Sequence, residues 1–239
     1  TRLFPLIIGS LTVIVIFGLV RLFGGTLSGL IASLLFAVSL PIIIRGTIGW
    51  FKSEPLGIFY GIIGLYLFLS GIKSNNKKIV ALKIISSGFV MAFGIASWGG
   101  NQFFIIPIGL FIIALPFVRK DHKFLLWSIP LFVGTFLTVS SLFERPGPTF
   151  VFGLGGLSLI ITTIFLTSCI FIQKISIEKN KTRNGLFLLI TIIIIGSFLV
   201  TVGGESGLIG LPSFRYFNAI NPLLTNTDPL ADSIAEHAP

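Results

Sequence analysis

Apolar runs of about twenty residues follow one another along this chain, separated by short polar breaks. Reading hydropathy together with glycine, proline and charged breakers predicts spans at roughly 3–20, 26–44, 55–72, 80–97, 102–118, 124–142, 149–173 and 185–203. Each run is long enough to cross a hydrocarbon core of about 30 Å as a helix. An outer-membrane barrel would show short segments of alternating polarity, and these runs are continuous. The predicted fold class is an all-α polytopic membrane protein, with about eight spans in a transmembrane domain at 1–203 and a polar segment at 204–239. Most connections are short, which predicts antiparallel packing of sequential helices.

Composition agrees, with 54% hydrophobic and 10% charged residues and a mean hydropathy of +1.02. The net charge of +9 would by itself suggest a nucleic-acid partner, but its distribution argues against one. Arg21, Lys73, Lys77, Lys78, Lys83, Arg119, Lys120, Lys123, Lys174, Lys179, Lys181 and Arg183 all fall in one set of alternate loops. Arg2, Arg45, Lys52, Arg145 and Arg215 fall in the other set. The positive-inside rule makes the first set cytoplasmic, with contact to lipid headgroups as a secondary role. Glu54, Glu144, Glu205, Asp228, Asp232 and Glu236 lie on the other side, and only Asp121 and Glu178 join the basic loops. Six spans separate loop 45–54 from segment 204–239, so both are expected on the extracytoplasmic face of a cell membrane.

Cys169 lies inside an apolar run and has no partner cysteine, so it reads as a packing residue. The Gly57, Gly61, Gly64 spacing and the Gly153–Gly156 group lie within spans and read as close helix contacts. The chain starts at Thr1 and stops at Pro239 in a polar stretch, and it is expected to be the middle of a longer protein.

Three segments carry candidate chemistry. Arg45-Gly-Thr-Ile-Gly-Trp-Phe-Lys-Ser-Glu54 joins spans two and three. An ionisable cluster at a membrane boundary is a functional hypothesis, although Trp50 as an interfacial anchor with snorkelling Arg45 and Lys52 explains it too. Trp98-Gly-Gly-Asn-Gln102 is expected to be a tight turn, with the two glycines making the reversal. In the last segment, Phe214, Tyr216 and Phe217 suit the membrane surface, and Ser233-Ile-Ala-Glu236 suits either a site or the capping box of a helix start. His122 reads as a solvated residue of a basic loop.

Taken together these segments resemble the oligosaccharyltransferase catalytic subunits, of the archaeal or bacterial single-subunit type. That family carries Arg-x6-Asp-x-Asp/Glu/His in its second outer loop, and here Arg45 precedes position 52 by that spacing. Its fifth outer loop ends in Ser/Thr-Val/Ile-x-Glu, often followed by His-Gln-Pro, and Ser233-Ile-Ala-Glu-His-Ala-Pro239 is similar. Trp98-Gly-Gly and the stretch Gly210–Arg215 also resemble family features. The resemblance spans the whole chain and implies a GT-C-type glycosyltransferase membrane domain, the second through ninth of thirteen spans.

The resemblance implies transfer of a preassembled oligosaccharide from a dolichyl (polyprenyl) phosphate or pyrophosphate carrier to Asn of Asn-x-Ser/Thr in an acceptor polypeptide. It implies Mg²⁺ or Mn²⁺ held by Glu54 and Glu236, and Arg45 beside the metal and the glycan phosphate. Glu236 and Arg45 are the candidate catalytic residues, and Trp98 and Arg215 join them in substrate binding; His237 is structural. The family's first Asp-x-Asp loop would precede Thr1, and its soluble domain would follow Pro239, so this fragment alone is expected to be inactive. Its own sequon, Asn180-Lys-Thr182, falls on the cytoplasmic side and is expected to stay unmodified.

Lys52 departs from the pattern, because an ammonium donates and cannot ligate a cation. Three readings follow. The metal is held by an upstream Asp pair with Glu54 and Glu236; the Lys52 ammonium replaces part of its charge; or the chain is a weak or inactive paralogue. Two other classes compete. An O-mannosyltransferase or glycan ligase would share acidic outer loops but lack the Ser-Ile-x-Glu and Trp-Gly-Gly features. A transporter would place ionisable groups near the membrane midplane.

Overall fold

The computed structural model describes residues 3–45, 52–176 and 180–205, without side chains at 41, 44, 45, 154 and 198–205. It is helical: α1 (Phe4–Ala37), α2 (Leu40–Arg45), α3 (Glu54–Lys73), α4 (Lys77–Ser97), α5 (Ile105–Val118), α6 (His122–Leu142), α7 (Leu154–Ile175) and α8 (Lys181–Glu205). Short 3₁₀ segments at Gly99–Phe104 and Pro148–Phe152 precede α5 and α7. Among the described residues, six helices are long and apolar enough to cross a membrane, the first being α1. The described residues fall into two compact units that divide after Ile175.

The first two expected spans are the two arms of α1. Gly25 has φ 77° and ψ −176°, outside the helical region, and glycine alone adopts such a φ readily. A straight helix would separate residues 17 and 29 by about 18 Å. Instead, a Cβ built on Gly29 would lie 2.9 Å from the Phe17 carbonyl oxygen, so the second arm folds back on the first. There is no polar loop: the first arm stays helical through Arg21 up to Gly24. Pro41 separates α2 from α1, because it has no N–H to bond back to Ala37.

Glycines on α3 set its packing on α4. Cβ atoms on Gly57, Gly64 and Gly71 would lie 2.6 Å from Trp98 Cβ, 2.1 Å from Met91 Cγ and 3.2 Å from Ile84. As positions rise along α3 they fall along α4, so the pair is an antiparallel hairpin, with a glycine every second turn receiving one side chain. The Ser87 hydroxyl crosses the seam, donating to the Gly64 carbonyl at 2.6 Å. The glycine spacing is thus a packing device, as its sequence reading has it.

Other contacts fix the remaining directions. The first arm of α1 runs parallel to α3, since Gly18 faces Tyr66 and Lys73 Nζ donates to the Leu22 carbonyl at 2.6 Å. α4 lies parallel to α6, with Gly88 against the backbone of Phe132 and Phe136 and Phe93 against Phe143. α5 lies parallel to α7, through Gly155 against Ile105 and Gly109 against Thr162. Helix direction therefore alternates from the first arm of α1 through α7, as the span parity requires. Phe68, Phe132 and Phe136 fill the centre, fully buried, with Phe68 and Phe132 centroids 4.5 Å apart. Leu82, Leu110 and Leu142 point outward, fully compatible with a lipid solvent.

Span seven starts later than its apolar run suggests. A Cβ on Gly156 would lie 2.5 Å from the carbonyl oxygens of both Phe150 and Val151, and 148–152 forms its own 3₁₀ turn. Buried Cys169 receives only a weak 3.5 Å contact from the Gln173 amide.

The Ser128 hydroxyl on α6 is fully buried and has no hydrogen-bond partner. Ser128→Ala is therefore expected to leave the melting midpoint unchanged or raise it slightly, since it removes an unsatisfied polar atom. A drop of several degrees in a thermal scan would show that the hydroxyl is bonded after all.

Candidate functional site

Glu54 is the first residue of α3, followed by Pro55, a residue suited to the first helical turn. Its side chain is buried at 9% exposure, at the positive dipole end of the helix, which favours a carboxylate. Lys52, two residues earlier, is exposed. The backbone thus turns the acid of this segment inward and the base outward.

The Trp98 turn sits against the same end of α3. Gly57, one turn after Glu54, holds Trp98 Cβ, and Gly61, the next turn, faces Asn101 and Phe104. The reversal is made by Trp98 itself, in extended conformation at φ −151° and ψ 118°, and not by the paired glycines. Its N–H donates to the Gly94 carbonyl and its own carbonyl accepts from the Asn101 N–H, both at 3.0 Å. A Cβ on Gly100 would lie 2.3 Å from the indole, so that position must be small, whereas Gly99 faces open space. The turn continues as the 3₁₀ segment Gly99–Phe104.

Asn101 was not singled out by the sequence. It is fully buried, and neither atom of its amide has a partner. Gly61 and Gly94 make its room: their Cβ atoms would lie 2.6 Å from Asn101 Oδ1 and 2.0 Å from Asn101 Nδ2. Those glycines were the available signal, two small residues on neighbouring helices facing a polar turn.

α2 ends at the same place. A small cavity of about 30 Å³ is lined by Pro5, Thr12 and Phe36 of α1, Ile42 of α2, and Pro55 and Ile58 of α3. Arg45 closes α2 one turn after Ile42. The structure therefore gathers the backbone at Arg45, the Glu54 carboxylate and the Trp98 turn at one end of the first unit. Arg215, Glu236 and the rest of 206–239 lie outside the described residues. Among the described residues no three His, Cys, Asp or Glu side chains cluster as metal ligands.

The opposite end is basic. Arg119 donates to the Ile72 carbonyl in the last turn of α3, and its guanidinium lies 3.9 Å from the Phe124 ring centroid. With Lys73 on Leu22, two helix ends have an otherwise orphaned carbonyl satisfied by a cation. Lys83 Nζ donates to Ser70 Oγ at 2.6 Å. Basic residues are thus concentrated at the end opposite Glu54.

Comparison with known proteins gives a consistent picture. The family model for oligosaccharyl transferase STT3, N-terminal, matches residues 3–226. The chain is 23% identical over 222 residues to the dolichyl-diphosphooligosaccharide–protein glycosyltransferase subunit STT3B of Arabidopsis thaliana, which covers 89% of this chain and 29% of that protein. It is 25% identical over 226 residues to subunit STT3 of Dictyostelium discoideum, covering 90% and 30%. The rice STT3B subunit is 21% identical over 220 residues. The chain thus spans less than a third of the length of these curated relatives.

Proposed function

The chain belongs to the oligosaccharyl transferase STT3 family, and on that premise we propose that it is the membrane part of an oligosaccharyltransferase catalytic subunit. The reaction moves a preassembled oligosaccharide from a dolichyl phosphate or pyrophosphate to the side-chain nitrogen of Asn in an Asn-x-Ser/Thr acceptor. The nitrogen bonds to the sugar's anomeric carbon, the carbon–oxygen bond to phosphate breaks with its electron pair leaving on the phosphate, and one amide proton is lost. The observation that carries this reading is that the α2 end at Arg45, the buried Glu54 and the Trp98 turn lie at the end opposite the basic cluster, Arg45 by its backbone alone, in a chain that the family model matches over residues 3–226. Positive-inside logic puts that end, with 204–239, on the extracytoplasmic face.

A carboxamide nitrogen is a poor nucleophile, so the site must orient it and stabilise the leaving group. Glu236 is assigned to the acceptor amide, accepting its N–H. Arg45 is assigned to the glycan phosphate, where a guanidinium pairs well with phosphate oxygens. Trp98 and Arg215 complete substrate binding. Glu54 fits a hard divalent cation in donor chemistry: it is a carboxylate, buried at a helix N-terminus. One carboxylate is not a site, so Glu236 and acids elsewhere would complete the ligand set. A bound Mg²⁺ or Mn²⁺ would supply positive charge opposite the developing phosphate charge.

The test uses the full-length protein with a lipid-linked oligosaccharide and two peptides. A glycopeptide is expected from Asn-x-Thr and none from Gln-x-Thr; equal products, or none from either, would sink the assignment. Metal dependence is a separate question. With Lys52 exposed and Glu54 inside, chelation is expected to abolish transfer in both wild type and Lys52→Asp. Wild-type transfer that ignores chelators, beside a Lys52→Asp protein that requires Mn²⁺, would instead give Lys52 part of the metal's role.

A further inference from the structure

A second cavity opens at the basic end, between the α3–α4 and α5–α6 turns. Its volume is about 280 Å³, and it is lined by Ser74, Asn75, Lys77, Arg119, Asp121 and Lys123, with an apolar wall that includes Trp127. That volume approaches the ~300 Å³ at which small-ligand pockets begin. We propose that this cavity binds the phosphate-bearing headgroup of an anionic phospholipid.

Three observations converge on that ligand. The first is charge. Three cations face one anion, and the carboxylate of Asp121 is already engaged, accepting from the Phe124 N–H at 3.1 Å as the cap of α6. Arg119 is held in place by the Ile72 carbonyl and the Phe124 ring, a preorganised guanidinium suited to phosphate oxygens. Lys77 and Lys123 are exposed at the rim, able to swing onto a bound anion.

The second is backbone polarity. α4 begins at Lys77 behind its cap Asn76, and α6 begins at His122 behind Asp121. Both helices therefore turn their positive ends toward the same space, adding to the side-chain charge. The third is position. The cavity lies at the ends of membrane-crossing helices, and half-buried Trp127 and buried Phe124 form its wall. An indole at the boundary of a span suits the headgroup layer, and basic pockets between spans suit anionic headgroups. A zwitterionic choline headgroup would set its own cation against the two lysines.

The site is independent of the transfer reaction, so its test stands whether or not that reading holds. The full-length protein in detergent is titrated with dioctanoyl phosphatidylglycerol, dioctanoyl phosphatidylcholine and inorganic phosphate, following the melting midpoint and bound lipid by native mass spectrometry. Phosphatidylglycerol is expected to bind saturably and raise the midpoint. The K77A/K123A protein is expected to bind it about 30-fold more weakly, the effect of two lysines beside an anionic headgroup. Lys78 and Lys120 are exposed in the same turns but do not line the cavity, so K78A/K120A, with the same charge change, is expected to bind within a few-fold of wild type. Equal weakening in both variants would reduce the effect to diffuse attraction and overturn the site. Equal binding of phosphatidylcholine would also overturn it. Equivalent saturable binding of inorganic phosphate would replace the lipid with a soluble phosphate ligand and overturn the lipid assignment.

Discussion

A full-length protein carrying Glu54→Gln is expected to lose oligosaccharyl transfer by about 10²–10³-fold, the scale seen when one preorganised electrostatic group is removed from a transition-state site. Glutamine keeps the shape of the side chain and one acceptor oxygen but replaces the other with an NH2 donor and loses the charge. The carboxylate is buried at the start of α3, so the change stays local. For a buried group at a helix N-terminus, its loss costs up to about 2 kcal/mol, small beside the expected loss of activity. The melting midpoint should therefore move little while activity collapses. Initial rates and thermal scans on the same preparations check both halves. Loss of activity in proportion to loss of folded protein would assign Glu54 a structural role only.

Gly94→Ala is expected to cost about 1–3 kcal/mol, the usual penalty for overpacking, and to lower the melting midpoint by several degrees. The added methyl would lie 2.0 Å from Asn101 Nδ2 and 3.3 Å from Tyr60 Cβ. Asn101 cannot withdraw easily, because its other amide atom is held against Gly61. Removing that side chain should make room for the methyl. Gly94→Ala in an Asn101→Ala background is thus expected to cost much less than alone, giving a coupling of about 0.5–3 kcal/mol in the double-mutant cycle. Additive costs would mean that the clash lies elsewhere. Because Asn101 shares its turn with Trp98, the single variant should also reduce transfer, with partial recovery in the double. A matched control is Gly134→Ala on α6, where nothing lies within 4 Å; it should be neutral or stabilising.

Much of this bundle is legible in the sequence, for particular physical reasons. A lipid solvent forces long apolar runs, so the positions of the helices follow from hydropathy. Charge asymmetry and span parity separate the ends, and the contacts of Lys73, Arg119, Gly57 and Trp98 agree with that separation. Breaks inside apolar sequence are harder to read. The fold-back at Gly25 has no polar loop, and the 3₁₀ turn before α7 depends on how Gly156 meets two backbone carbonyls. Burial of polar groups was the least legible. Glu54 and Asn101 sit in segments that composition makes interfacial, and only their glycine or helix-end surroundings place them inside. Arg119 reads as a topology marker but also ties the end of α3 to the start of α6. The motif around Glu236 lies outside the described residues, so its role rests on the resemblance of Ser233–Pro239 to the family's loop end.

The most direct test of the central claim compares wild-type and Glu236→Gln full-length proteins in one assay, with lipid-linked oligosaccharide, an Asn-x-Thr peptide and saturating Mn²⁺. The account predicts glycopeptide from wild type and at least about 10²-fold less from Glu236→Gln, with both proteins folded by thermal scan. Transfer at the wild-type rate by Glu236→Gln would contradict it.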